Sequence, residues 1–386
     1  MSTVLSGFSH ADIEARGATW TAREIAQQPA VWMDVAGLVE KERVRLRAFL
    51  DPILANPGLR IMLCGAGTSA FVGDCLAPSL ALHLGRRVDA VATTDIVSGP
   101  HLQLRGDTPI LLVSFARSGN SPESTAAVDL AEQVVPGAHH LIITCNPEGK
   151  LAARARSLRN ARVLMLPDAT NDRGFAMTSS FTSMLLAAGL IFGVIRAERV
   201  PSLSQTAQSL MPRVWALAQR LVTREFQRVV YLGSGELRGL ASEAALKMLE
   251  LTDGQTVAIA QSSLGFRHGP KTIINNRTLV VVMLSNDDYT RAYDLDLLSE
   301  LQRDARAAQI VALTARADDQ GIGERLLMGE LNDARDIETT LLHILPAQAF
   351  ALLQSLALGL TPDQPNAAGV VNRVVQGVHI HPWPGN

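Results

Sequence analysis

Three charged residues stand out in LASEAALKMLELTDGQ, the stretch from Leu240 to Gln255: Glu243, Lys247 and Glu250. On a helix these positions, i, i+4 and i+7, form one stripe over two turns. Two carboxylates around an ammonium can serve as an acid–base array at the rim of a pocket. The same spacing also makes an ordinary wet face, worth a few tenths of a kcal/mol per pair. The small residues Ala241, Ala244 and Ala245 around the stripe permit close packing. The stretch follows the glycine turn GSGELRG, which sets it at a ligand edge.

Downstream lies SSLGFRHGPKTII, where Gly265, Gly269 and Pro270 fix a turn bearing Arg267, His268 and Lys271. His268 is the histidine best placed for proton transfer, because imidazole titrates near neutrality and its neighbours keep it out of a regular element. His139 and His140 lead into a strand, and His379 and His381 lie near the C-terminus; neither pair has carboxylates at metal-ligand spacing, so no metal is expected. Cys64, Cys75 and Cys145 form no CxxC pair, fit a reducing compartment and are expected to be buried or inert.

Two further turns are built to hold an anion. GAGTSAF places Gly67, Thr68 and Ser69 at a strand-to-helix turn, where free backbone N–H groups and hydroxyls can receive a phosphate. SFARSGNSPES adds Ser118, Gly119, Asn120 and Ser121. Ser121 is expected to cap the next helix, with Pro122 in its first turn. A third polar stretch, NDRGFAMTSSF, contributes Thr178, Ser179 and Ser180 as caps or ligands. GxGxxA also invites a dinucleotide reading, but the second copy, GSGELR, has Arg238 where glycine or alanine is needed, and GxxxxGK[ST] is absent. No cofactor is therefore expected.

These turns must be carried by strands and helices. LRIMLCGAG, TPILLVSF, AHHLIITCN and ARVLMLP read as strands, as does RVDAVATTDIV, with helical stretches between most of them. TWTAREIAQQP reads as a helix ending at Pro29. The pattern then repeats: Gly65 and Gly67 match Gly233 and Gly235 at an offset of 168, and Leu111–Phe115 matches Val280–Leu284. An internal duplication follows. The fold class is α/β, with two tandem parallel-sheet sandwiches covered by helices on both faces. The expected segments are an N-terminal helical extension at 1–58, a first domain at 59–197, a helical connector at 198–227, a second domain at 228–360 and a tail at 361–386.

The chain has 386 residues with 47% hydrophobic, enough for two cores, and a formal net charge of -2, which gives no bulk attraction for nucleic acid or an anionic membrane. The longest apolar run read from sequence, Met184–Ile195, is too short to span a bilayer, and no secretory signal pattern opens the chain. A cytoplasmic location is expected.

The two repeats resemble SIS domains, the sugar isomerase fold. EAALKMLE is similar to the EGALKLKE helix of the glucosamine-6-phosphate synthase isomerase domain, GFRHGP to its KHGP turn, and RGFAMTSSF to its GVAST segment. SFARSGNSPES resembles its serine-rich phosphate turn, with Ala116 in place of the first serine. GAGTSAF, DRGFAMTSS, ALKMLELTDG, GFRHGPK, YTRAYDLDLL and VNRVVQGVHIHPW resemble the galactosamine-6-phosphate deaminase family, also called the AgaS-type or tagatose-6-phosphate ketose/aldose isomerase family. The resemblance implies a phosphorylated amino-sugar substrate held on Ser69, Ser118 and Ser121, ring opening through His268, and proton transfer between C2 and C1 by Glu250, with Glu243 and Lys247 in support. It implies products tagatose 6-phosphate and ammonia from galactosamine 6-phosphate. Conversion of glucosamine 6-phosphate to fructose 6-phosphate, and isomerisation without loss of nitrogen, stay open. The synthase's glutaminase domain and C-terminal lysine have no counterpart here, which disfavours glutamine-dependent synthesis. A sugar-phosphate sensor would lose the Glu–His pair, and both residues remain. The resemblance also implies a homodimer or higher homo-oligomer, with His268 contributed across the interface.

Overall fold

The computed structural model describes residues 10–317, 323–375 and 377–385. The chain folds as two compact units, each drawn from separate segments. One comprises residues 31–171, 179–197 and 369–386; the other comprises the chain up to Ala30, residues 172–178 and residues 198–368.

The first unit holds strands β1 (Arg60–Cys64), β2 (Val88–Ala90), β3 (Ile110–Ala116), β4 (His139–Thr144) and β5 (Ala161–Met165). They form a parallel sheet in the order β2-β1-β3-β4-β5. β1 and β3 are buried at every residue, as expected of strands covered on both faces. Met62, Cys64, Leu112 and Ile142 face a core shared with Ala127, Val128 and Leu151 of the helices that follow β3 and β4. Ile61, Leu63, Leu111 and Leu141 alternate to the opposite face and are equally buried. The stretch read as one strand over RVDAVATTDIV is shorter than expected: only Val88–Ala90 pairs, and Thr93–Ser98 is helical.

The second unit repeats the plan with β6 (Arg228–Leu232), β7 (Val257–Gln261), β8 (Thr278–Met283), β9 (Gln309–Thr314) and β10 (Arg325–Leu327), in the order β10-β9-β8-β6-β7. Read from the opposite edge, this is the same winding as the first sheet, with all neighbours parallel. The duplication seen as a glycine offset thus extends to topology. One face is covered by the Asp288–Asp304 helix, whose Leu297, Leu298 and Leu301 pack on Val230, Val280 and Val282. The Asp336–Ala357 helix packs against both the Val200–Val222 and Glu236–Leu251 helices.

Two readings are corrected. The helix that begins at Thr19 does not end at Pro29 but continues to Leu54. Proline removes the N–H that would bond the Ile25 carbonyl. Gln28 Nε2 donates to that carbonyl instead at 3.1 Å, and Ser204 Oγ bonds Pro29 O at 2.6 Å. Second, Met184–Ile195 is not the longest apolar stretch. The Asp336–Ala357 helix is long and apolar enough to cross a membrane, yet 94% of its apolar stretch is buried inside the protein. Its Thr339, His343 and Gln348 hid the run from a reading by apolar residues alone.

Candidate active site

In both sheets the winding reverses beside the first strand, between β1 and β3 and between β6 and β8. Open α/β sheets bind ligands at such switch points, outside the carboxyl ends of the strands. The turns after β1 and β3 occupy that place in the first unit. Gly65 has no alternative there, because a Cβ would lie 2.5 Å from Ser69. Gly67 takes φ 56° and ψ -129°, a conformation open to glycine, and begins the Thr68–Leu84 helix with no side-chain cap bond. Thr68 and Ser69 are buried in its first turn.

After β3, Gly119 at φ 63° turns the chain into the Pro122–Val134 helix. Ser118 Oγ accepts the Asn120 N–H at 3.3 Å, and Asn146 Nδ2 donates to Ser118 O at 2.9 Å. Asn120 Oδ1 accepts the Lys150 N–H at 3.1 Å, so this side-chain oxygen ties the turn to the next loop. Ser121 sits at the cap position as expected, but its side chain makes no cap bond; its hydroxyl pairs with Ser124 Oγ at 2.6 Å. The hydroxyl is thus not committed to backbone. Arg117, immediately before Ser118, went unnoticed in the sequence. It is buried, and Nη2 donates to Arg373 O at 2.8 Å, which brings a guanidinium and the C-terminal segment to this turn.

The third polar stretch is divided between the units. Thr178 belongs to the second, where its N–H donates to Asp172 Oδ2 at 2.8 Å. Glu24 receives the N–H groups of Arg173 and Gly174, so this loop is pinned within the second unit. Ser179 and Ser180 belong to the first unit and open the Ser179–Ile191 helix, fully buried.

The turn after β6 reproduces that after β1. Gly235 has φ 56° and ψ -126°, and a Cβ on Gly233 would lie 2.5 Å from Leu237 O. The side chains differ, however. Thr68 and Ser69 are replaced by Glu236 and Leu237, and the residues following β8 are Ser285, Asn286, Asp287 and Asp288. Asp294 accepts Ser234 Oγ at 2.7 Å, Ser263 Oγ at 2.5 Å and the Ser285 N–H at 3.0 Å. Burial pushes the Asp336 carboxyl up to about 6, its hydrogen bonds to Ser285 and Asn286 opposing this, while Glu236 and Asp294 add repulsion. The second pair of turns thus gathers carboxylates where the first carries hydroxyls, which makes it the less suited to an anion.

The second unit carries the charged stripe instead. Glu243 and Lys247 are fully buried, and the Glu250 side chain keeps 23% of its exposure. Lys247 Nζ lies 3.4 Å from Glu243 Oε1 and donates to Glu250 Oε2. The stripe is not a wet face. Alanines at 241, 244 and 245 let the Glu236–Leu251 helix pack closely enough to enclose an ammonium, which then requires its carboxylates.

Arg267 pairs with Glu300 at 2.8 Å, and Lys271 with Glu300 and Asp304. Both fixed cations on this turn, Arg267 and Lys271, are thus neutralised. His268 is exposed, and among the described residues its ring has no polar partner. Gly269 beside it has φ 115°, which holds the turn open. The three cysteines are buried, and burial pushes the Cys64 thiol up to about 12, far from a thiolate nucleophile. Among the described residues no group of three or more His, Cys, Asp and Glu is arranged to hold a metal.

Comparison with known proteins agrees with this architecture. A SIS domain profile matches residues 53–193. AgaS of Streptomyces coelicolor is 52% identical over 94% of this chain and 96% of its own length. The D-galactosamine-6-phosphate deaminase AgaS of Escherichia coli is 46% identical over 95% and 96%. The crystal structure of tagatose-6-phosphate ketose/aldose isomerase from Escherichia coli superposes with a TM-score of 0.89, at 44% identity, over 95% of this chain and 97% of that one. With half of its residues shared along nearly its whole length, the chain belongs to the AgaS family of SIS-domain proteins.

Proposed function

We propose that this enzyme converts D-galactosamine 6-phosphate to D-tagatose 6-phosphate and ammonia. The 6-phosphate is held by Ser69, Ser118 and Ser121 with the backbone N–H groups of their turns, and Thr68, Gly67 and Gly119 shape the cradle. His268 passes the proton that opens the sugar ring. Glu250 then takes the proton from C2 of the open-chain aldose and returns it to C1. As the C2 amine gives up a proton and the C1 oxygen gains one, C1 becomes a hydroxymethyl group and C2 carries a C=N bond; water then adds to C2, and ammonia departs as the ketose carbonyl forms there. Lys247 holds the Glu250 carboxylate in place while Glu243 balances the buried ammonium.

The observation that carries the reading is the Lys247–Glu250 pair. A buried ammonium fixes a carboxylate that is itself open to solvent on one side, the arrangement a proton carrier needs. The exposed ring of His268, unpartnered among the described residues, suits a histidine that serves a neighbouring copy, so the working form is taken to be at least a dimer. Mixing His268→Ala chains with Glu250→Gln chains should then restore part of the activity; verified mixed dimers without activity would place each site within one chain.

The name borne by the Escherichia coli structure favours a second reading, aldose–ketose isomerisation without loss of nitrogen. Ammonia release from galactosamine 6-phosphate, glucosamine 6-phosphate and free galactosamine separates the alternatives. The first compound should give the highest kcat/KM and the unphosphorylated sugar very little. Isomerised product without ammonia would establish the second reading, and equal kcat/KM for the free sugar would remove the phosphate cradle.

A further inference from the structure

Away from these turns, the first unit contains a cavity of about 500 Å³ lined by four arginines. Arg45 comes from the Thr19–Leu54 helix, Arg156 from the Lys150–Arg156 helix, Arg159 from the following loop and Arg162 from β5. The floor is apolar, made by Ala155, Leu158, Ala161, Val163 and Met165. β5 is the last strand of its sheet, so an arginine on it is expected merely to protect an edge. That accounts for Arg162 alone. Arg156 and Arg159 precede it in the same stretch of chain, and Arg45 joins them from the Thr19–Leu54 helix; like charges gathered in one concavity repel one another unless something offsets them.

Few protein groups do so. Arg45 meets Glu42 at 3.4 Å. Arg156 Nη2 donates to Pro147 O at 3.2 Å. Asp129 is taken by Arg154, and Glu132 by His140 and Asn160. Arg162 lies over the Phe49 ring, 5.3 Å from its centre, and its buried Nε has no hydrogen-bond partner. Among the described residues Arg159 has no polar partner. Four guanidiniums thus face one carboxylate around a space within the size range of small-molecule sites.

We propose that this cavity binds a small organic diphosphate or bisphosphate, with the phosphates on Arg45, Arg156 and Arg159 and the organic part on the apolar floor beside Arg162. Guanidiniums bind phosphate oxygens in bidentate fashion, and a ligand with two phosphate groups matches the local excess of charge better than a monophosphate does.

The test is calorimetric titration of the intact protein with ADP, inorganic pyrophosphate and orthophosphate. It is run in wild type, in Ser118→Ala to discount the sugar-phosphate turn, and in an Arg45→Ala/Arg159→Ala variant. ADP and pyrophosphate should bind once per chain, orthophosphate more weakly, and Ser118→Ala should leave the titration unchanged. The double arginine variant should lose about 10-fold or more in affinity, the equivalent of one or two charged hydrogen bonds, while ammonia release and the unliganded melting temperature stay as in wild type. ADP binding tighter than pyrophosphate assigns the floor to the organic part. No saturable binding, or equal affinity in the arginine variant, overturns the proposal. Dissociation of the oligomer by that variant, read by light scattering, overturns it in favour of a subunit contact.

Discussion

Replacing Lys247 by methionine tests whether the Glu243–Lys247–Glu250 array is a buried charge cluster. Methionine keeps most of the length and the apolar stem, so the change is chiefly the loss of one positive charge. Glu243 is fully buried and 3.4 Å from that charge, so its carboxylate would remain in the interior without it. Removing one partner of a buried ion pair costs about 3–5 kcal/mol, whereas an exposed i,i+4 pair is worth about 0.3–0.5 kcal/mol. Glu250 adds little to the loss, because its side chain keeps 23% of its exposure and water can solvate it. Lys247→Met should therefore destabilise by about 3 kcal/mol or more. A Glu243→Gln/Lys247→Met double variant removes both buried charges and should recover much of that loss. Urea unfolding followed by circular dichroism, analysed as a double-mutant cycle, measures both values. A loss under about 1 kcal/mol for Lys247→Met, or a double variant as unstable as the sum of the singles, would refute the reasoning.

Other perturbations address the phosphate turn and two buried titrating groups. Ser118→Ala should raise KM by about 10-fold with little change in kcat, because it removes the proposed hydrogen bond to the phosphate, one made both before and during reaction; steady-state kinetics decide, and a fall in kcat at constant KM would move Ser118 into the chemistry. Burial holds His343 neutral, lowered to about 4, so its contribution is present above the ordinary histidine value and lost as pH falls toward 4; His343→Gln should lose less stability than wild type between pH 6.5 and 4 in urea titrations. Asp336 has the opposite sign: raised to about 6, it favours the folded state below the ordinary carboxyl value and loses that contribution as pH rises through about 6. Asp336→Asn should therefore lack this acid-side gain, roughly 3 kcal/mol at most, and a variant with the wild-type pH slope would show that Asp336 does not titrate in that window.

The features legible from sequence are those where one residue type answers a local demand. Gly65, Gly67, Gly233 and Gly235 announced two matching turns, since a Cβ at 65 or 233 would meet neighbouring atoms at 2.5 Å, and the duplicated sheet followed from them. The fate of Pro29 was not legible, because the substitute donor, Gln28, is a side chain whose use depends on tertiary packing. Nor was the discontinuous make-up of the units, which assigns residues 172–178 to one and their neighbours to the other. The stripe at Glu243, Lys247 and Glu250 carried a true ambiguity: i,i+4 spacing fits a wet face and a buried array alike, and burial by the neighbouring helices resolves it. Arg117 escaped notice because its contact is 256 residues distant in sequence. Arg45 likewise meets the arginines at 156, 159 and 162 only in the fold.

The central claim is that Glu250 carries the proton between C2 and C1 of a phosphorylated amino sugar. It is tested most directly by following exchange of the C2 hydrogen of galactosamine 6-phosphate in heavy water with wild type, Glu250→Gln and Glu243→Gln. Glutamine keeps the shape and hydrogen-bonding capacity of the side chain but cannot act as the base. Exchange in Glu250→Gln should fall by about 100-fold or more, within the usual contribution of general acid–base catalysis, with substrate still bound. Glu243→Gln should retain faster exchange than Glu250→Gln. Exchange at the wild-type rate in Glu250→Gln would contradict the account and make Glu243, on the same helix, the next residue to test.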